Sequence, residues 1–195
     1  LNMTGTTHGS IECINGEWYV FYHRLTHKSD YSRQACAQKI KIEEDGSIKQ
    51  VEITSCGLNN GPLAAEGAYP ATICCNLTNG HMPHGCNKIY DYSIPNVNHQ
   101  GEDRFISEIT DKTMIGYKYF EMQDNKKLNI LYRGNANGTL VVTSELDGNI
   151  LGKFEIEPSS EWTEITTAVS FENGITAIYL KYFGTGMFDI KEISF

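Results

Sequence analysis

Tyr92, Tyr117, Tyr119, Tyr132, Trp162, Tyr179 and Tyr182 place aromatic rings at short intervals through the second part of this 195-residue sequence. A flat ring beneath the apolar side of a pyranose or furanose, with a few polar side chains meeting the hydroxyls, is how β-rich modules hold sugars. Most of these rings alternate within strand-like runs, so at least half are expected in a core. Trp162 follows the turn sequence Pro158-Ser159-Ser160-Glu161, which allows either a platform at a loop edge or a core plug beside the turn. Tyr92, in the irregular stretch KIYDYSIPNVN, is the second candidate ring. A different chemistry is offered by Cys74, Cys75, His81, His84 and Cys86, because zinc selects thiolate and imidazole. Their spacing lacks paired C-x-x-C knuckles, and adjacent cysteines on a strand point to opposite faces, so incidental ligands in a loop are expected and zinc is not. His8, a lone histidine ahead of a strand, reads on its own as a surface or hydrogen-bonding residue.

The elements that must position these residues are all β. GSIECINGEWYVFYHRL (residues 9–25) is two β-rich runs joined at Asn15-Gly16, the strongest short hairpin signal. QACAQKIKIEEDGSIKQVEI (34–53) repeats the arrangement around Asp45-Gly46, which predicts four strands in about 55 residues. Gly, Asn, Ala and Pro concentrate in 57–69 without periodicity, dividing the chain into 1–60 and 61–195. Extended runs follow at 117–122, 129–132, 138–144, 150–156, 162–171, 175–182 and 188–195, separated by turns such as Asp147-Gly148 and Asn173-Gly174. Short strands at this spacing, with no convincing helix, predict a sandwich or jelly roll.

With 24 acidic against 16 basic residues, the formal charge of -8 disfavours nucleic acid and anionic membrane as partners. Apolar stretches are far shorter than the ~20 residues that span a bilayer, so a soluble protein is expected. The first residue is Leu1 rather than Met, which reads as a segment of something longer. Six cysteines are too few for a disulfide scaffold, and Cys13 and Cys36 are expected as buried free thiols within strands. Bacterial cytoplasm and exterior both remain open; N-x-T triplets at Asn2, Asn76 and Asn137 would matter only in a eukaryotic secretory pathway.

His8-Gly9-Ser10, the run Trp18-Tyr19-Val20-Phe21-Tyr22-His23-Arg24 and the following strand pair with Cys36 and Asp45-Gly46 resemble the last β-propeller blade of glycoside hydrolase family 43, the family of β-xylosidases and α-L-arabinofuranosidases. From about Gly61, the segments YPATICCNL, GEDRF, GYKYF, LYRGNANGTLVV, LGKFEI, EWTEI and GTGMFDIKEISF resemble, in order, a family 6 carbohydrate-binding module. The resemblance implies a partial propeller blade followed by a lectin-like jelly-roll β-sandwich. It implies that His8 lines the propeller channel and helps hold calcium or its water shell. It makes Asp189 the polar partner of the candidate rings, at the place where the family often has a ligand-binding Asn. In many such modules structural calcium is held by a first-strand acid. Here Thr72 stands in that place, and Lys191 lies between Asp189 and Glu192, which disfavours the ion.

The family's inverting mechanism uses a general acid and a general base about 6.5 to 9.5 Å apart. Those carboxylates come from earlier blades, and Glu12 does not match a catalytic position. The resemblance therefore implies a C-terminal piece of a hydrolase acting on xylan, arabinoxylan or arabinan, inactive by itself, with the remaining blades as its partner. The alternatives are a non-catalytic sugar-binding protein, its open strand edge covered by homodimerisation, and a purely structural module.

Overall fold

The computed structural model describes residues 8–80, 94–124 and 126–195; Tyr92, His81, His84 and Cys86 lie outside them. Asn15 and Gly16 both take positive φ, 52° and 85°, as a two-residue type I′ turn requires. That turn joins β1 (Ser10–Ile14) to β2 (Glu17–Thr26), with Ile14 opposite Glu17. A second tight turn, His27-Lys28, also has two positive φ values (56° and 48°) but no glycine, and leads into β3 (Ser29–Ile40).

The four strands expected here are three. After β3 the chain makes only a single bridge, Ile42 to Ile48, around the Asp45-Gly46 turn. The following segment is captured elsewhere. Thr54 bonds the Gln38 side chain through both N–H and Oγ1 (2.9 Å each), while Glu52 and Ser55 bond Lys118 and Tyr119 of the second sheet. With the Thr54 N–H bonded to Gln38 and the Ser55 N–H to the Lys118 carbonyl, these backbone donors have no need of a ladder to β3. Cys13, expected buried, is exposed on β1, the edge strand of the first sheet.

The second sheet holds ten strands: β4 (Leu63–Ala64), β5 (Ala68–Pro70), β6 (Asn76–Thr78), β7 (Asn96–Gln100), β8 (Asp103–Ile109), β9 (Met114–Met122), β10 (Lys127–Thr143), β11 (Gly152–Ile156), β12 (Ser159–Ala168) and β13 (Gly174–Ser194). Its two longest strands, each expected as two shorter ones, organise the sandwich. β10 and β13 pair from Asn129/Ser194 to Thr143/Tyr179, and both change their other neighbour halfway. The first half of β10 meets β12 and its second half meets β11; the first half of β13 meets β9, and its second half meets β8 and β5. Strands that pass from one layer to the other need a bend, and glycines supply it. A Cβ on Gly134 would sit 2.4 Å from Phe188 Cα, and one on Gly186 (φ 76°) would sit 1.9 Å from the Asn135 carbonyl oxygen.

Between the layers lies one apolar cluster, with Ile106, Phe120, Leu128, Leu140, Phe154, Tyr182, Phe188 and Ile190 essentially inaccessible to solvent. Tyr117, Tyr132, Tyr179 and Tyr182 are buried, so these rings belong to the fold rather than to a platform.

The two sheets meet at Arg24. Its guanidinium is buried, donating from Nη1 to the Cys74 carbonyl (2.7 Å), from Nη2 to the Thr72 carbonyl and from Nε to Gln34 Oε1 (2.8 Å). A rigid fork of donors against carbonyls at the end of a short 3₁₀ turn (Ala71–Ile73) is a fixed pin between the layers of the chain.

Candidate functional site

Period-two alternation decides what faces outward on the layer built from β12, β10, β13, β8 and β7. Leu128, Ile130 and Tyr132 of β10 point into the core, which turns Arg133 out; Phe188 and Ile190 of β13 point in, which turns Asp189 and Lys191 out. On β12, Ile165 packs on the core, so Trp162 faces out as well. Trp162 is therefore neither at a loop edge nor a core plug. Ser159, Ser160 and Glu161, read as a turn, are the first residues of its strand, and the indole lies half-buried on the outer face.

These side chains form one constellation. The Arg133 guanidinium carbon lies 4.3 Å from the centroid of the Trp162 ring and 5.1 Å from that of Phe105, and the two rings meet edge to face at 5.5 Å. Stacking on the ring quadrupole favours the cation there. Arg133 is steadied by Gln100 Oε1, which accepts from Nη2 at 2.9 Å, and by Asp189 Oδ2, 3.5 Å from Nε. Lys191 reaches 5.7 Å from the indole centroid and is paired with Asp103 (2.7 Å).

Asp189 also accepts from the Glu108 backbone N–H at 3.3 Å. Its carboxyl is nonetheless held above the usual carboxylate range. Burial is the main cause and the neighbouring Glu108 charge adds to it, while the Glu108 N–H and Arg133 pull the other way. Beside this group opens a cleft of about 800 Å³, lined by Arg133, Asp189, Ser159, Ser160, Asn135 and Met187 among others. Hydroxyls, an amide, a guanidinium and a carboxylate around an apolar floor are the donors and acceptors a polyhydroxylated ring needs.

Trp162 and Asp189 thus fall in one site, bridged by Arg133. Tyr92 lies outside the described residues. His8 lies far from Trp162 and Asp189 along the chain, just ahead of β1, its ring 6.0 Å from that of His23. Two imidazoles are nitrogen donors, whereas calcium takes six to eight oxygens, and among the described residues no three His, Cys, Asp or Glu side chains gather as a metal site. The described residues alone do not make a calcium site at His8. Nor do they make one at Thr72, whose carbonyl already accepts from the Arg24 cation. Cys74 and Cys75 have separate surroundings: Cys74 Sγ lies 3.5 Å from Arg24 Nη1, and Cys75 Sγ donates to the Gly116 carbonyl at 3.4 Å.

Sequence reasoning missed Arg133, Phe105, Gln100 and Lys191. The signal for Arg133 was its alternation with Leu128, Ile130 and Tyr132, readable once β10 is continued through Gly134.

The fold is a β-sandwich carried behind a three-stranded antiparallel sheet. No family model matches the chain. Over 97% of its length it is 39% identical to a xylosidase/arabinosidase of Thermoclostridium stercorarium, of which it spans 42%. In fold it is similar to a glycoside hydrolase family 43 arabinoxylan arabinofuranohydrolase from Bacillus subtilis, crystallised with cellotetraose (TM-score 0.61, 19% identity, 98% of this chain and 41% of that one). It is also similar to a family 6 carbohydrate-binding module from Clostridium cellulolyticum in complex with xylose (TM-score 0.54, 14% identity, 68% of this chain and 98% of that one). The chain is a homologue of part of a xylosidase/arabinosidase and spans less than half the length of that relative.

Proposed function

We propose that this chain is the C-terminal part of a glycoside hydrolase acting on xylan, arabinoxylan or arabinan, and that its sandwich holds the polysaccharide on the face around Trp162, Arg133 and Asp189. The observation that carries the reading is the juxtaposition itself: an outward indole, a stacked guanidinium and a carboxylate beside a cleft of about 800 Å³. Further support is the similarity to a xylosidase/arabinosidase and to a module crystallised with xylose. In this reading the catalytic carboxylates lie in the part of the parent that the chain does not span, and the chain alone is inactive. His8, in the same reading, serves a calcium site whose oxygen donors come from the other blades. Ile11, Ile14 and Trp18 of the three-stranded sheet are exposed, which favours a parent whose remaining blades cover them over an autonomous binding protein.

Affinity electrophoresis in gels containing xylan, arabinoxylan or arabinan tests this. Retardation by at least one of them, lost in Trp162→Ala, is the expected result. Unchanged migration in every gel would refute sugar binding by this segment.

A further inference from the structure

The face around Trp162 is not built by the sandwich alone. Glu108, in β8, has φ 62°, a left-handed conformation that few non-glycine residues take. Its N–H is bonded to Asp189 Oδ1 while its carboxylate is paired with Lys28. Lys28 comes from the other sheet: it is the second residue of the turn between β2 and β3. That turn is seated on β7. His27 donates its N–H to the Val97 carbonyl (3.0 Å), its Nε2 accepts from the His99 N–H (3.2 Å), and the two imidazoles meet edge to face at 4.4 Å. A series of direct contacts therefore runs from Lys28 through Glu108, Asp189 and Arg133 to Trp162.

We propose that Lys28 is a positioning residue for the sugar-binding face, so that the turn of the three-stranded sheet sets the affinity of the sandwich. The physical argument is charge placement. The Glu108 charge disfavours ionisation of Asp189. Lys28 draws the Glu108 side chain to itself and offsets its charge, leaving Asp189 to face the Arg133 guanidinium and the Glu108 N–H. Lys191, two residues along β13, is occupied by Asp103. Without Lys28, the unpaired Glu108 carboxylate acts on Asp189 undiminished. The hydrogen bonds that hold Arg133 against the indole then weaken.

This inference rests on the reading of the Trp162 face as the sugar site, and its test separates the two. Lys28→Met and Lys28→Arg are compared with the unmodified chain, with Trp162→Ala and with Lys39→Met, a control lysine paired within the first sheet. Two readouts are taken: retardation by arabinoxylan, and titration of the Asp189 carboxyl by side-chain carbon NMR. Exposed or half-exposed ion pairs shift equilibria by roughly 1.5- to 5-fold. Lys28→Met should weaken retardation by about that factor and raise the Asp189 midpoint, Lys28→Arg should restore both, and Lys39→Met should change neither. Retardation and midpoint unchanged in Lys28→Met, with Trp162→Ala still abolishing binding, would overturn the positioning role and leave the sugar site standing. Retardation unaffected by Trp162→Ala, or absent from every gel, would overturn the sugar site and the positioning role together.

Discussion

In the ten-stranded sheet two layers close on each other, and Ile130, Phe154, Tyr182 and Phe188 are almost wholly removed from water. The three-stranded sheet in front of it has only one covered face. Its edge strand β1 is exposed along its whole length, and Ile11 (43% exposed), Ile14 (36%) and Trp18 (40%) remain in solvent. The difference separates a unit with its own core from one whose order depends on neighbours. One such neighbour is the sandwich itself, through Arg24 at the centre of the junction, Glu52 and Ser55 on β9, and His27 and Lys28 on β7 and β8.

If stability resides in the sandwich, truncating its core must cost far more than truncating the open sheet. Phe188 packs against Tyr182 at 4.9 Å and Tyr132 at 6.1 Å, so Phe188→Ala should lose about 3 to 5 kcal/mol in urea unfolding. Ile11→Ala should stay within about 0.5 kcal/mol. Equal losses would break the comparison.

Arg24→Met sharpens it. The substitution keeps an apolar stem but strands the Cys74 carbonyl without its Arg24 donor and leaves the Thr72 carbonyl with only Gln34 Nε2 (3.2 Å), at a cost of about 1 to 3 kcal/mol. Amide exchange should rise in β1, β2 and β3 while β10 and β13 stay protected. Loss of protection in both sheets together would mean that they unfold as one unit.

How far the sequence carries the reader differs between the same two regions. The all-β class and the Asn15-Gly16 hairpin were legible because turn chemistry and alternation are local. The His27-Lys28 turn was not, because it lacks the Asn-Gly chemistry of such turns and is held by contacts with β7 and β8. β7 escaped notice for a similar reason: Asn96, Asn98, His99 and Gln100 are poor strand formers, and pairing with β8 overrides their preference. Gly134 and Gly186 read as breaks in runs that are in fact continuous, so β10 and β13 each appeared as two strands. In the candidate site, Trp162 could be named from its ring type and its place after Pro158, and Asp189 from the family resemblance. Arg133 could not, since its place between them depends on the register of three strands far apart in sequence.

Thiol chemistry offers a smaller contrast between the sheets. Cys13 is exposed on β1, whereas burial pushes the Cys75 thiol up from 9.0 to about 11. Because the thiolate is the nucleophile, that shift alone lowers its reactive fraction at neutral pH about a hundredfold. Brief treatment with iodoacetamide, read by mass spectrometry of peptides, should label Cys13 and spare Cys75. Comparable labelling of both would show the sandwich opening around β6 and β9.

The weakest expected effect comes from pH, and it divides the junction into its two ends. At the β7 end His27 is held below the ordinary imidazole value, first by burial and then by the neighbouring His99. Its Nε2 accepts from the His99 N–H only while neutral, so Nδ1 carries the proton toward Ser32 and Thr26. The folded form thus prefers the neutral ring, and this contribution is complete above about pH 6.5 and is lost as pH falls from there through the lowered folded value. At the β9 end Glu52 is held below its ordinary value by bonds from Lys118 and then Tyr119, so its contribution persists to lower pH and disappears only as pH falls below about 4.3 through its own lowered value. Both groups are largely solvated, so each effect should stay under about 1 kcal/mol. His27→Gln should remove the pH dependence of stability between 6.5 and 5 and leave that below 4.3 intact, while Glu52→Gln should do the reverse. If either variant flattened both windows, the two ends of the junction would be a single coupled contact, and the small sheet would be seated on the sandwich as rigidly as the sandwich layers are on each other.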